Sequence, residues 1–167
     1  MIKLVKKIWF KVSITFIIIV VLPVILFSIF NNGKNIRNAQ DFINELKAKG
    51  YNVESIEVTK QPNEWFTSYN AKRKVIKINS TYINYYEFET EKQAKLASQA
   101  ISKDGNKVER SYVSFETAIK FYRKGNIIVQ YGGTDFRVLW HLRTIMGKSI
   151  AGSSLTYLLV EKFIRKN

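Results

Sequence analysis

The chain of 167 residues has no cysteine, which excludes a disulfide framework, a lipid-bearing cysteine, a thiolate metal site and a cysteine nucleophile. It has one histidine, His141, with Asp135 as the only nearby carboxylate, a set too poor for a metal centre or a catalytic base. His141 therefore reads as structural. No carboxylate precedes Asp41, and residues 12 to 30 carry no charge of either sign. Of the two prolines, Pro23 falls inside that uncharged run, where a membrane span tolerates it with a kink, and Pro62 falls in a loop. With nucleophile, base and metal ligands lacking, the chain is not expected to be an enzyme, and no catalytic residue, cofactor or metal is assigned.

The uncharged run is the strongest positive signal. Residues 12 to 30, VSITFIIIVVLPVILFSIF, are 19 consecutive uncharged and mostly apolar residues. As a helix they would cover roughly 28 Å, the thickness of a bilayer's hydrocarbon core. The run is apolar all round, unlike the striped surface helix of a soluble domain. Lys3, Lys6, Lys7 and Lys11 precede it, against Lys34 and Arg37 just after it, so the charge bias puts residues 1–11 in the cytoplasm and the bulk outside. A cleaved signal peptide, releasing a secreted domain, is the rival reading. No small-residue cleavage pattern follows the run, however, and Asn31, Asn32 and Gly33 succeed Ile29 and Phe30. The expectation is a single-pass signal anchor at 12–30, a polar linker at 31–35, an extracytoplasmic domain at 36–152 and a C-terminal amphipathic helix at 153–167.

Within the domain, Ile36, Ala39, Phe42, Ile43 and Leu46 recur at helical spacing up to Gly50, and Tyr51 to Thr59 alternates as a strand. Lys74 to Asn79 and Tyr82 to Glu89 are β-rich runs around an Asn79-Ser80-Thr81 turn. Thr90-Glu91-Lys92-Gln93 then fits a capping box, with Ala94, Ala97 and Ile101 lining one helical face before Asp104-Gly105. Thr117 to Arg123 and Asn126 to Tyr131 flank Lys124-Gly125, and Thr134-Asp135 opens a helix ending near Gly147. Val108 to Ser114 adds a short strand between these groups. The order suggests two ββα units in tandem, and the expected class is α+β: a mostly antiparallel sheet with helices on one face. Tyr112, Phe115, Phe121 and Tyr131 are expected in its core or rim.

In the last domain helix, Val138, Leu142, Ile145 and Met146 form an inward stripe with His141 at its flank. Phe136, Trp140 and Arg143 fall on the opposite face, a candidate partner patch unless something covers it. The segment Ser153 to Lys166 could cover it with Leu155, Leu158, Leu159, Phe163 and Ile164, or lie on the bilayer with Lys162, Arg165 and Lys166 outward. Two motif-like strings carry no chemistry. Gly147-Lys148-Ser149 resembles the end of a P-loop, but the first glycine of that pattern would fall on Leu142. Asn79-Ser80-Thr81 fits a glycosylation acceptor, yet turn chemistry accounts for it.

Charge is what remains to carry function. The net charge is +14, and beyond residue 30 there are 23 basic residues against 13 acidic ones. Such an excess favours anionic company, which outside a membrane means phospholipid headgroups or phosphate-rich wall polymers rather than nucleic acid. The densest clusters are Lys72, Arg73, Lys74 and Lys77, and Lys120, Arg123 and Lys124 at the second hairpin turn, expected to share an end of the sheet. The plainer reading is that these lysines keep the domain soluble and blunt its strand edges.

The series Tyr86-Glu87-Phe88, Ala94, Ala97, Asp104-Gly105, Phe121-Tyr122, Gly125, Ile128-Val129, Tyr131, Gly147 and Ala151-Gly152 resembles small exported α+β domains of Gram-positive bacteria. These are membrane-anchored or lipoprotein-like and uncharacterised as a class. The resemblance spans residues 36 to 152 and rests on spaced apolar and turn residues, so it implies a fold and assigns no site residue. The functional expectation is a non-enzymatic, membrane-tethered module that binds an envelope protein or an anionic surface. The alternative is a structural subunit of a larger membrane assembly.

Overall fold

The computed structural model describes Val21 and residues 33–56, 65–112 and 118–152. All of residues 12–30 except Val21, and the whole C-terminal segment 153–167, lie outside the described residues, as does Phe115. Among the described residues no helix is long and apolar enough to cross a membrane.

The elements follow the chain as α1 (Ala39–Ala48), β1 (Val53–Ile56), a 3-10 turn (Thr67–Tyr69), β2 (Lys72–Ile78), β3 (Thr81–Glu87), α2 (Glu91–Gln99), β4 (Lys107–Val108), β5 (Ser111–Tyr112), β6 (Ile119–Lys124), β7 (Ile127–Gly132), α3 (Phe136–Met146) and β8 (Ala151–Gly152). The main sheet has six strands in the order β1-β2-β3-β7-β6-β8, every pairing antiparallel. The α+β class and the antiparallel sheet are as expected.

Each helix starts where its sequence says it can. Asn38 Oδ1 accepts from Asp41 N at 3.0 Å to cap α1. Thr90 and Gln93 form a reciprocal box on α2, with Gln93 N donating to Thr90 Oγ1 at 3.2 Å and Thr90 N to Gln93 Oε1 at 3.0 Å. Asp135 Oδ1 accepts from Arg137 N at 2.8 Å and opens α3. Caps of this kind satisfy first-turn amides and contribute about 1 kcal/mol each.

Helices cover both faces of the sheet, which corrects the expectation of one. On one face α1 and α3 bury Phe42, Leu46, Leu142 and Ile145 against Ile76, Ile83, Tyr85, Tyr122 and Val129. On the other, Ala94 and Ala97 of α2 pack with Phe66, Tyr86, Phe88, Phe121 and Ile128. The cause lies in β7, whose run Ile127-Ile128-Val129 is buried at every residue. A strand that is apolar on both sides demands cover on both sides. This placement also bears on the tandem ββα pattern. Because β3 and β7 pair antiparallel, a two-fold axis relating the two hairpins would stand normal to the sheet and keep both helices on one face. With α2 and α3 on opposite faces, the hairpins are not symmetry-related units.

Smaller corrections follow from local geometry. The short strand expected over Val108 to Ser114 is present as far as the described residues go, as β5 paired with β4 in a hairpin of their own through Glu109, whose φ is +54°. Tyr112 is 83% exposed rather than core, with Lys107 Nζ 5.3 Å from its ring centroid, whereas Phe121 and Tyr131 are buried. Residues expected as plain loop contribute a buried Phe66 at φ +63°, its amide donating to Glu109 Oε2 at 3.0 Å.

Candidate functional site

Register decides where the basic residues meet. Lys72 pairs with Glu87, Glu87 with Ile127, and Ile127 with Lys124, so these four residues stand in one row across β2, β3, β7 and β6. Lys72-Arg73-Lys74 and Arg123-Lys124 therefore do share an end of the sheet, separated by three strand spacings or about 14 Å. Lys77 and Lys120 do not belong there. Lys77 pairs with Tyr82 and Lys120 with Tyr131, each more than a helical turn's length away along its strand.

Lys120 is a correction to the surface cluster. It is buried under α3, and desolvation, with Arg143 nearby as a second cause, lowers its pKa. Arg143 corrects the aromatic patch in the same way. Its Nε is buried and its charge bears on Lys120 and Tyr122, so the side chain turns toward the sheet while Phe136 and Trp140 stay outside. Phe136 and Trp140 are 52% and 46% exposed, their rings 6.2 Å apart.

The β2 cluster is dispersed by the pleat. Residues 72 and 74 face the α1/α3 side while 73 and 77 face the α2 side, as strand alternation requires. Local partners take up its polarity. Lys74 Nζ lies 3.0 Å from Glu87 Oε2, which raises the Lys74 pKa. Arg73 donates through Nη2 to Asn84 Oδ1 at 3.0 Å. Lys72 borders a depression of about 240 Å3 that also holds Glu89 and the Glu87 already paired with Lys74, so its charges balance. An anion has little reason to settle there.

The other basic group borders a larger cavity. A cleft of about 480 Å3 is lined by Arg37, Arg123, Lys124 and Lys148, with Glu91 as its one carboxylate and Asn35, Ile36, Gly125, Met146 and Ile150 completing the wall. Arg123 Nη1 lies 3.8 Å from Glu91 Oε1, a long contact to a carboxylate 71% exposed. Arg37 contacts Asp41 through Nε at 3.4 Å and through its amide at 3.0 Å, and that amide is the main cause holding the Asp41 carboxyl below its usual range. Among the described residues, four basic residues and one carboxylate line the cleft.

Three of the chain segments that line it carry its basic residues, and backbone bonds fix them to one another, with Glu91 of α2 added from a fourth. Asn126 N donates to Arg37 O at 2.9 Å, joining the β6–β7 turn to the segment before α1. Lys34 N donates to Ile145 O at 2.7 Å, joining that segment to the end of α3. Ile150 N donates to Phe121 O at 2.8 Å and seats the segment after Lys148 on β6. Gly125 makes the closest approach. It sits at φ +53°, and a Cβ there would collide with the Arg37 carbonyl, so the turn requires glycine.

Arg37 and Lys148 were missed as site residues, since each is an isolated charge in the sequence. The cleft lies where the chain enters the domain. Gly33 packs onto the backbone of Ile145 to Gly147, and Asn35 itself lines the wall, five residues after the apolar run ends at Phe30.

The lone histidine is structural in geometry. Its Nδ1 is 2.8 Å from Tyr51 Oη with the rings edge to face, and burial, then Lys49 and Arg137, lower its pKa. Among the described residues no group of three His, Cys, Asp or Glu could hold a metal ion. No family model, no curated protein and no solved structure matches the chain.

Proposed function

We propose that the chain is a non-enzymatic, single-pass membrane protein whose extracytoplasmic domain binds an anionic envelope surface. The observation that carries this reading is the position of the basic cleft: Asn35, the last linker residue, and Ile36 and Arg37 just beyond it line its wall. Five residues span at most about 17 Å, so a bilayer-embedded run would hold the cleft next to the headgroups. Each Lys or Arg near an anionic surface adds about 1 kcal/mol of attraction. Four lysines before the run and two basic residues in the dozen after it support a cytoplasmic N-terminus.

The absence of native cysteine makes the topology directly testable. In intact cells a membrane-impermeant maleimide should label Lys95→Cys, on the exposed side of α2, and spare Lys3→Cys. Labelling of Lys3→Cys alone would refute the orientation, and labelled protein recovered from the medium would refute the anchor.

A second reading rests on the exposed Phe136–Trp140 pair, an aromatic surface that suits a subunit of a larger membrane assembly. Under it, Trp140→Ala would keep its thermal midpoint yet lose a specific in-cell crosslink. Under the favoured reading, crosslinks are unchanged.

A further inference from the structure

We infer that the cleft between the segment before α1, the β6–β7 turn and the end of α3 is a site for the phosphate of an anionic phospholipid headgroup. This inference rests on the membrane-anchored reading and names the ligand that the anchored domain meets. Arg37, Arg123, Lys124 and Lys148 line the cleft from three segments that backbone bonds hold in place, so no folding step accompanies binding. A volume of about 480 Å3 admits a phosphodiester group and its glycerol but no folded partner. Arg123 offers a planar fork of donors suited to two phosphate oxygens. Its present contact with Glu91, at 3.8 Å and to an exposed carboxylate, is weak enough for a phosphate to displace. Polar Asn35 adds a side-chain amide to the wall, while Ile36, Met146 and Ile150 provide apolar surface for the glycerol carbons.

The neighbouring depression gives an internal contrast. It holds Lys72 together with Glu87 and Glu89, with Lys74 paired to Glu87, so it lacks the excess of basic residues that lines the cleft. The source of the phosphate follows from position. The cleft is a few residues from the apolar run, whereas a soluble phosphate ester would need no such placement.

The test uses full-length protein in nanodiscs of phosphatidylcholine with a minor share of phosphatidylglycerol, and native mass spectrometry to count the lipids that stay bound. Wild type should retain phosphatidylglycerol selectively. The triple variant R123Q/K124Q/K148Q should lose that selectivity about a hundredfold, since each neutralised cation costs roughly fivefold near an anionic surface. The charge-preserving variant R123K/K124R/K148R should restore most of it, which a merely unfolded cleft would not allow. Excess inorganic phosphate should displace little lipid.

Equal retention of both lipids by wild type would overturn the inference, as would a triple variant indistinguishable from it. If inorganic phosphate competed fully and lipid composition had no effect, the headgroup assignment would be overturned in favour of a soluble phosphate. Failure of the anchored reading looks different: the full-length chain would not incorporate into nanodiscs at all.

Discussion

Two stretches of this domain carry similar positive charge and do opposite things with it. On β2, Lys72, Arg73, Lys74 and Lys77 are crowded in sequence, but Glu87 and Asn84 engage Lys74 and Arg73. Around the cleft, Arg37, Arg123, Lys124 and Lys148 are spread over more than a hundred residues, yet they line a single cavity. Density along the chain is thus a poor guide to density in space. What makes a site is the backbone that brings segments together, here the bonds from Asn126 to Arg37 and from Lys34 to Ile145.

The comparison breaks most visibly if equal charge is removed from each side. R123Q/K124Q/K148Q should weaken retention of anionic lipid about a hundredfold, while K72Q/R73Q/K74Q should change it less than fivefold. Equal losses, read by liposome retention of the full-length chain at low salt, would mean that bulk charge and not convergence does the binding.

The next effect is structural and falls on the cleft alone. Gly125→Val should lower stability by about 3 kcal/mol, measured by urea unfolding, because the turn is left-handed and its Cβ would meet the Arg37 carbonyl. A neutral result would show that the turn and the segment before α1 are not clamped. Lys74→Ala on β2 should cost at most about 1 kcal/mol, and 1 M salt should erase that cost, since the pair with Glu87 is partly exposed on both sides.

The smallest effect concerns His141, on the α3 face turned toward Tyr51, away from both basic groups. Its pKa is lowered by burial and by Lys49 and Arg137, with Asp135 opposing. The folded state therefore takes up its proton later than the unfolded chain as pH falls. Stability from this group is complete above about pH 6.5 and declines as pH drops through that value. His141→Gln should flatten the urea midpoint between pH 7 and 5, and an unchanged slope would assign the pH dependence elsewhere.

How far the sequence could be read follows the range of the forces involved. Local signals were legible: the Thr90–Gln93 box, the Asp135 cap, the Gly125 turn and the α3 stripe from Val138 to Met146 all stand where spacing put them. The number of covered faces also has a signal there, in the unbroken apolar run Ile127, Ile128 and Val129, which a sheet covered on one face does not need. The cleft was half legible. Arg123 and Lys124 stood out as a cluster, whereas Arg37 and Lys148 depend on bonds between segments a hundred residues apart, for which neither periodicity nor composition holds a signal. Lys120 failed for a related reason. Within β6 it alternates onto the face that α3 covers, and a lysine reads as surface until the covering helix is known.

A cleft end of the sheet that faces the bilayer is directly measurable by dye quenching in proteoliposomes. Lys148→Cys marks the cleft, and Ser80→Cys marks the β2–β3 turn at the far end, a strand's length of about 20 Å away. With a quencher on the lipid headgroups, a dye at position 148 should be strongly quenched and one at position 80 nearly untouched. Equal quenching at the two positions, or stronger quenching at 80, would contradict the account.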